Sequence, residues 1–117
     1  MLNMRADEGF YRKSCTSIDG GLTWSSPQIS IDQIDCKCQG SILSIGGAVF
    51  LSNAASATER INMTIKKSTD NGKNWKGQYT VYEGNSGYSD IVELSDSQIA
   101  IIYEGGEKRY TDGLAFK

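Results

Sequence analysis

Histidine is absent from this 117-residue chain, and that absence excludes much chemistry. No Ser-His-Asp triad, Cys-His pair or His-ligated zinc site can be assembled from these residues alone. Excess positive charge is absent as well: 12 Lys and Arg stand against 14 Asp and Glu, a formal net charge of −2. Binding nucleic acid or an anionic membrane through bulk charge needs the opposite balance. No apolar run approaches the roughly 20 residues that span a bilayer. The opening stretch MLNMRADEGF has no apolar core of signal-peptide length, so no targeting segment is expected within the chain. The three cysteines, Cys15, Cys36 and Cys38, are an odd number, and the Cys-x-Cys spacing is tighter than a four-ligand zinc site wants. They are expected to be small buried thiols, with no metal. Helical periodicity is missing too: nowhere do apolar residues recur at helical spacing for long.

What is present is a repeat. SIDGGLTW opens at Ser17 and STDNGKNW at Ser68, so Ser-x-Asp-x-Gly-x-(Thr/Asn)-Trp occurs twice, about 50 residues apart. Strand signals surround both copies. Ile61, Met63 and Ile65 alternate with Asn62, Thr64 and Lys66, the period of a half-buried strand. SILSI and AVFLSN flank Gly46-Gly47, a two-residue hairpin signal, and GQYTVYEG alternates after the second copy. YSDIVEL and QIAIIYE flank the polar turn Ser95-Asp96-Ser97, and YTDGLAF follows as a further strand. LNMR and FYRKSCTS precede the first copy, and QISID follows it. The expected fold is all-β: about two and a half four-stranded antiparallel units of ~40–50 residues, the size of propeller blades. In each motif the short Asp side chain suits bonds from backbone N–H groups of its own turn. Gly supplies positive φ, and Trp anchors the turn by packing against its blade. Asp19 and Asp70 are therefore expected to fold turns rather than to catalyse.

These repeats resemble the Asp boxes of sialidases (neuraminidases), which are six-bladed β-propellers. Other segments resemble the family in the same order: LNMR, CQGSILSI, FLSNAASATERINMTIKKSTDNGKNW, SGYSDIVEL and IIYEGG. Residues 50–117 are most similar to the animal lysosomal branch. The resemblance implies that Arg5 and Arg60 are the second and third arginines of a triad that binds the sialic acid carboxylate. It makes Tyr88 the nucleophile and Glu104 the carboxylate that orients the first arginine. The Asp boxes, Ser17, Asp19, Gly21 and Trp24, then Ser68, Asp70, Gly72 and Trp75, are structural. Asp90 is assigned to structure. The implied activity is that of a retaining exo-α-sialidase acting on sialylated glycoproteins, glycolipids and oligosaccharides, with no cofactor and no metal. The alternative is a non-catalytic Asp-box propeller module that binds carbohydrate or protein.

Strand counting gives an independent check. In up-and-down blades, Arg5, Arg60, Tyr88 and Glu104 all fall at one rim, and both Asp boxes fall at the other. Arginine suits a sialoside because its planar fork donates two parallel bonds to a carboxylate. A tyrosine nucleophile avoids the repulsion that an ionised carboxylate would meet at a centre already bearing one. The family's acid/base Asp, the Glu that activates the tyrosine and the first arginine lie N-terminal to the LNMR segment and have no counterpart in these residues. Six blades need on the order of 270 residues. The chain is thus expected to be the C-terminal part of a sialidase propeller (residues 1–117), inactive alone, with the remaining blades as its partner. A carrier protein and lysosomal or secretory residence are implied by the lysosomal likeness. The Asn62-Met63-Thr64 sequon agrees with a secretory route.

Overall fold

A computed structural model describes every residue except Asp96, so that part of the expected Ser95–Ser97 turn lies outside the described residues. Among the described residues there are strands and no α-helix. Strands β1 (Leu2–Met4), β2 (Tyr11–Cys15) and β3 (Gln28–Ile34) form one antiparallel sheet in chain order. A second sheet runs in chain order through β4 (Ser41–Ile45), β5 (Ala48–Ala54), β6 (Ile61–Ser68), β7 (Lys76–Ser95), β8 (Gln98–Gly106) and β9 (Leu114–Phe116). Every pairing is antiparallel between consecutive strands, the up-and-down arrangement that the alternation implies. Gly46 and Gly47 both take positive φ in the β4–β5 hairpin (57° and 76°), as a two-residue primed turn requires.

Two expectations are corrected. GQYTVYEG and YSDIVEL are not separate strands: both lie in the 20-residue β7, whose first half pairs with β6 and whose second half pairs with β8. The chain stays extended across the junction because Asn85 is partnered on both sides, by Ile61 and by Gly106. YTDGLAF is a strand only from Leu114. Its first half is a turn, because the Asp112 carboxylate accepts from the amides of Lys108 (3.0 Å) and Arg109 (2.9 Å).

Met63, Val81, Ile91, Ile101 and Tyr103 make the core, with Leu43, Phe50, Ile65, Tyr82 and Ala115 packed around them. Strand β6 is covered on both faces rather than one. Met63 enters this core, while Thr64 and Lys66 are buried on the opposite face, where the Lys66 amine donates to the Asp32 carbonyl. Asn53 also reaches across, donating to the Ile34 carbonyl at 2.9 Å, so the two sheets pack against each other. The sequon residue Asn62 is half-buried, and its amide nitrogen donates to the Ala55 carbonyl at 3.1 Å. A glycan on that nitrogen would have to break this bond.

Candidate functional site

The doubly paired Asn85 sets the site. Its partners fix Ile61 on one side and Gly106 on the other, so Arg60, the residues after Asn85 and Glu104 are forced together. The Ser86 amide donates to the Arg60 carbonyl at 2.8 Å, closing the junction. Between Ser86 and Ser89 the β7–β8 register shifts, and Gly87 and Tyr88 occupy that irregularity. Bulges of this kind re-aim a side chain out of the ladder. Tyr88 thus lies inside a long strand rather than at the start of one, and it is 40% exposed.

Three predicted residues, Arg5, Arg60 and Glu104, lie around Tyr88. The Arg60 guanidinium carbon lies 5.1 Å from the Tyr88 ring centre. The Tyr88 amide donates to Glu104 Oε2 at 3.0 Å. Gly87 is needed here, since a β-carbon would collide with the Glu104 carboxylate and the Tyr110 ring. Arg5 and Tyr88 line one cavity of about 390 Å³ together with Asn3, Arg12, Gln39 and Gly40. Tyr88 and Glu104 line a second, of about 510 Å³. Arg60 opens onto a third, beside Tyr110, and touches the shared site through the Tyr88 ring. Partial burial lowers the Arg60 pKa, but Cys38, Tyr88 and Tyr110, groups able to carry negative charge, raise it on balance. Among the described residues neither Arg5 nor Arg60 is ion-paired. Asp90 is occupied elsewhere, accepting from the Ser41 hydroxyl at 2.6 Å and from the Ile91 amide at 3.0 Å.

Beneath Arg5 lies a network that the sequence did not announce. Arg12 is 2% exposed and pairs with the fully buried Asp35 at 3.0 Å. Its guanidinium also donates to the Cys38 carbonyl (2.8 Å) and to Asn3. The second Asp35 oxygen accepts from the Ala6 amide at 2.7 Å, which pins the residue after Arg5. Gln39 joins the halves: it lines both Tyr88 cavities, and its Oε1 accepts from the Ser89 amide at 3.0 Å. Arg12 sits within a register shift of β2, between Tyr11 and Lys13, so simple alternation along FYRKSC does not place it inside. The cysteines are free thiols, Cys15 and Cys38 buried and Cys36 half-buried. Among the described residues no three His, Cys, Asp or Glu side chains cluster to hold a metal ion.

The Asp boxes lie in the β2–β3 and β6–β7 connections, away from the end of β6 that bears Arg60. Their main bonds correspond, and the second box adds the Lys73 amide donating to Asp70 at 3.1 Å. Ser17 donates to Asp19 and Ser68 to Asp70, both at 2.7 Å. Each serine oxygen accepts from a glycine amide, Gly21 at 2.8 Å and Gly72 at 2.9 Å. Asp19 accepts from the amide of Thr23, and Asp70 from that of Asn74, both at 2.9 Å. These bonds hold both carboxyls well below the usual carboxylate range; Thr23 and Ser17 act on Asp19, and Asn74 and Ser68 on Asp70. Each indole donates to its own glycine carbonyl, Trp24 to Gly21 at 3.0 Å and Trp75 to Gly72 at 3.1 Å. Trp24 is 42% exposed, so it closes its own turn instead of filling a blade.

Comparison with known proteins gives consistent results. Residues 1–101 match the BNR repeat-like domain family. A sialidase of Micromonospora viridifaciens is 33% identical over 106 residues, covering 82% of this chain and 16% of that protein. A sialidase of Bacteroides fragilis is 30% identical over 95% of this chain and 23% of that protein. The chain therefore spans less than a quarter of the length of these curated relatives. Among solved structures, a Hadza microbial sialidase superposes with a TM-score of 0.76 at 27% identity, over 87% of this chain and 22% of the other. The fold is that of a partial β-propeller.

Proposed function

Because this chain belongs to the BNR repeat-like domain family and has bacterial sialidases as relatives, we propose that the full protein is an exo-α-sialidase. It would release terminal sialic acids from glycoproteins, glycolipids and oligosaccharides with retention, without metal or organic cofactor. Residues 1–117 would supply the C-terminal part of its propeller. The single observation that carries this reading is the gathering at Tyr88: Arg60 at 5.1 Å, Glu104 on its amide at 3.0 Å, and Arg5 in the same cavity. Arg5 and Arg60 bind the sugar carboxylate, each free to offer its fork. The Tyr88 oxygen attacks the anomeric carbon as the glycosidic bond breaks. The activating Glu takes the phenol proton, the acid/base Asp protonates the departing aglycone oxygen, and water then cleaves the tyrosyl bond to release sialic acid. Glu104 keeps one carboxylate oxygen for the first triad arginine while the other accepts from Tyr88. That arginine, the acid/base Asp and the activating Glu come from other parts of the protein.

The bacterial relatives lend nothing to the likeness with the animal lysosomal branch. Lysosomal residence and a carrier protein rest on residues 50–117 alone.

The test is Tyr88→Phe in the full-length protein, which removes the attacking oxygen and little else. Turnover of a fluorogenic sialoside is expected to fall by on the order of a thousandfold or more, with the melting temperature retained. Near-normal turnover would refute the nucleophile assignment. The non-catalytic alternative predicts no turnover in the unmodified full-length protein.

A further inference from the structure

Tyr110 has no role in the reading above, yet it touches its centre. Its ring centre lies 4.7 Å from the Arg60 guanidinium carbon, closer than that of Tyr88 at 5.1 Å. The same ring packs against Gly87, the residue before Tyr88. With no ion pair to Arg60 among the described residues, these two aromatic faces are what hold its guanidinium.

Tyr110 is itself held. Asp112 caps its turn by accepting from the Lys108 and Arg109 amides, and the Asp112 amide donates back to the Arg109 carbonyl at 3.1 Å. The Gly105 amide donates to the Gly113 carbonyl at 3.0 Å, closing the loop at its base. A capped turn thus sets a ring, and the ring sets an arginine.

We infer that Tyr110 is a positioning residue that holds Arg60 ready for the substrate carboxylate. The inference rests on the sialidase reading and deepens it. A long arginine side chain loses rotamer freedom when it binds, and one whose guanidinium already rests against two rings loses less at that moment. A guanidinium over an aromatic face is also attracted by the ring quadrupole. The effect belongs to carboxylate recognition, so it should be felt in binding more than in the chemical step.

The experiment compares Tyr110→Leu, Tyr110→Met and Tyr110→Phe in the full-length protein, with a sialoside bearing an uncharged leaving group. Leu and Met are expected to raise KM about five- to tenfold, the range of a partly desolvated cation–π contact, with kcat within about twofold. Phe, which keeps the face, should stay within about twofold of the unmodified protein on both. Inhibition by free sialic acid should weaken by the same factor in Leu and Met, while inhibition by its methyl ester should not change. Unchanged KM in both Leu and Met variants overturns the inference and leaves the sialidase reading standing. So does an equal loss for acid and ester, or a Phe variant as poor as Leu. If the unmodified protein neither hydrolyses the sialoside nor binds sialic acid, both readings fall together.

Discussion

Arg12 and Asp35 illustrate how much at the residue scale depends on burial. A lone Arg in a short strand looks like a solvated charge, but here it is 2% exposed and shares its bonds among Asp35, Cys38 and Asn3. Replacing it with Met would leave the Asp35 carboxylate buried without its cation. Removing one partner of a buried pair costs about 3–5 kcal/mol. Arg12→Met should destabilise the full-length protein by that much in denaturant unfolding, and a loss under about 1 kcal/mol would mean that water reaches the pair. Tyr88, Arg5, Arg60 and Glu104 could be picked out because the segments that carry them resemble sialidase segments in the same order. Arg12, Gln39 and Tyr110 could not. The first sits within a register shift, the second lines both Tyr88 cavities from a loop, and the third sits in a turn read as strand.

At the scale of elements, the boxes and β7 differ in how far local chemistry reaches. Each box is complete within eight residues, so its bonds follow from its own sequence. The carboxyls of Asp19 and Asp70 are held below their usual range by the hydrogen bonds of the folded turn. A group depressed on folding stabilises above its unfolded pKa, near 3.9 for Asp, and that contribution is lost as pH falls further. Asp70→Ala should therefore lower the melting temperature at pH 7, with the gap to the unmodified protein narrowing below about pH 3. Melts at both pH values check this, and a gap that widens in acid would contradict it. Strand β7 is the opposite case. Its Gly84-Asn85-Ser86-Gly87 stretch favours a break, and it remains extended only because Ile61 and Gly106 both pair with Asn85.

At the scale of the molecule, the site has a rim but not all of its wall. Arg5 and Tyr88 are exposed, and the cavity they share is open. If the proposed sialidase reading holds, residues 1–117 expressed alone should release no fluorophore from a fluorogenic sialoside, because that reading draws the proton-transfer pair and the first arginine from elsewhere. Measurable turnover would show that these residues suffice, or that copies assemble. The outer strands carry exposed apolar side chains: Ile29 and Ile31 on β3, at 63% and 74%, and Leu114 and Phe116 on β9, at 72% and 70%. Sheet faces and edges of this kind seek cover.

By itself the sequence determined the all-β class, the chain-order pairing of its strands, the internal bonds of both boxes and the rim on which Arg5, Arg60, Tyr88 and Glu104 lie. Those features follow from alternation, turn residues and a repeat, all of which act over a few neighbours. Only the tertiary structure decided that β7 runs unbroken, that Arg12 and Asp35 lie inside, and that Tyr110 rests on Arg60. Each of these depends on what a distant segment places alongside, and no local pattern records that.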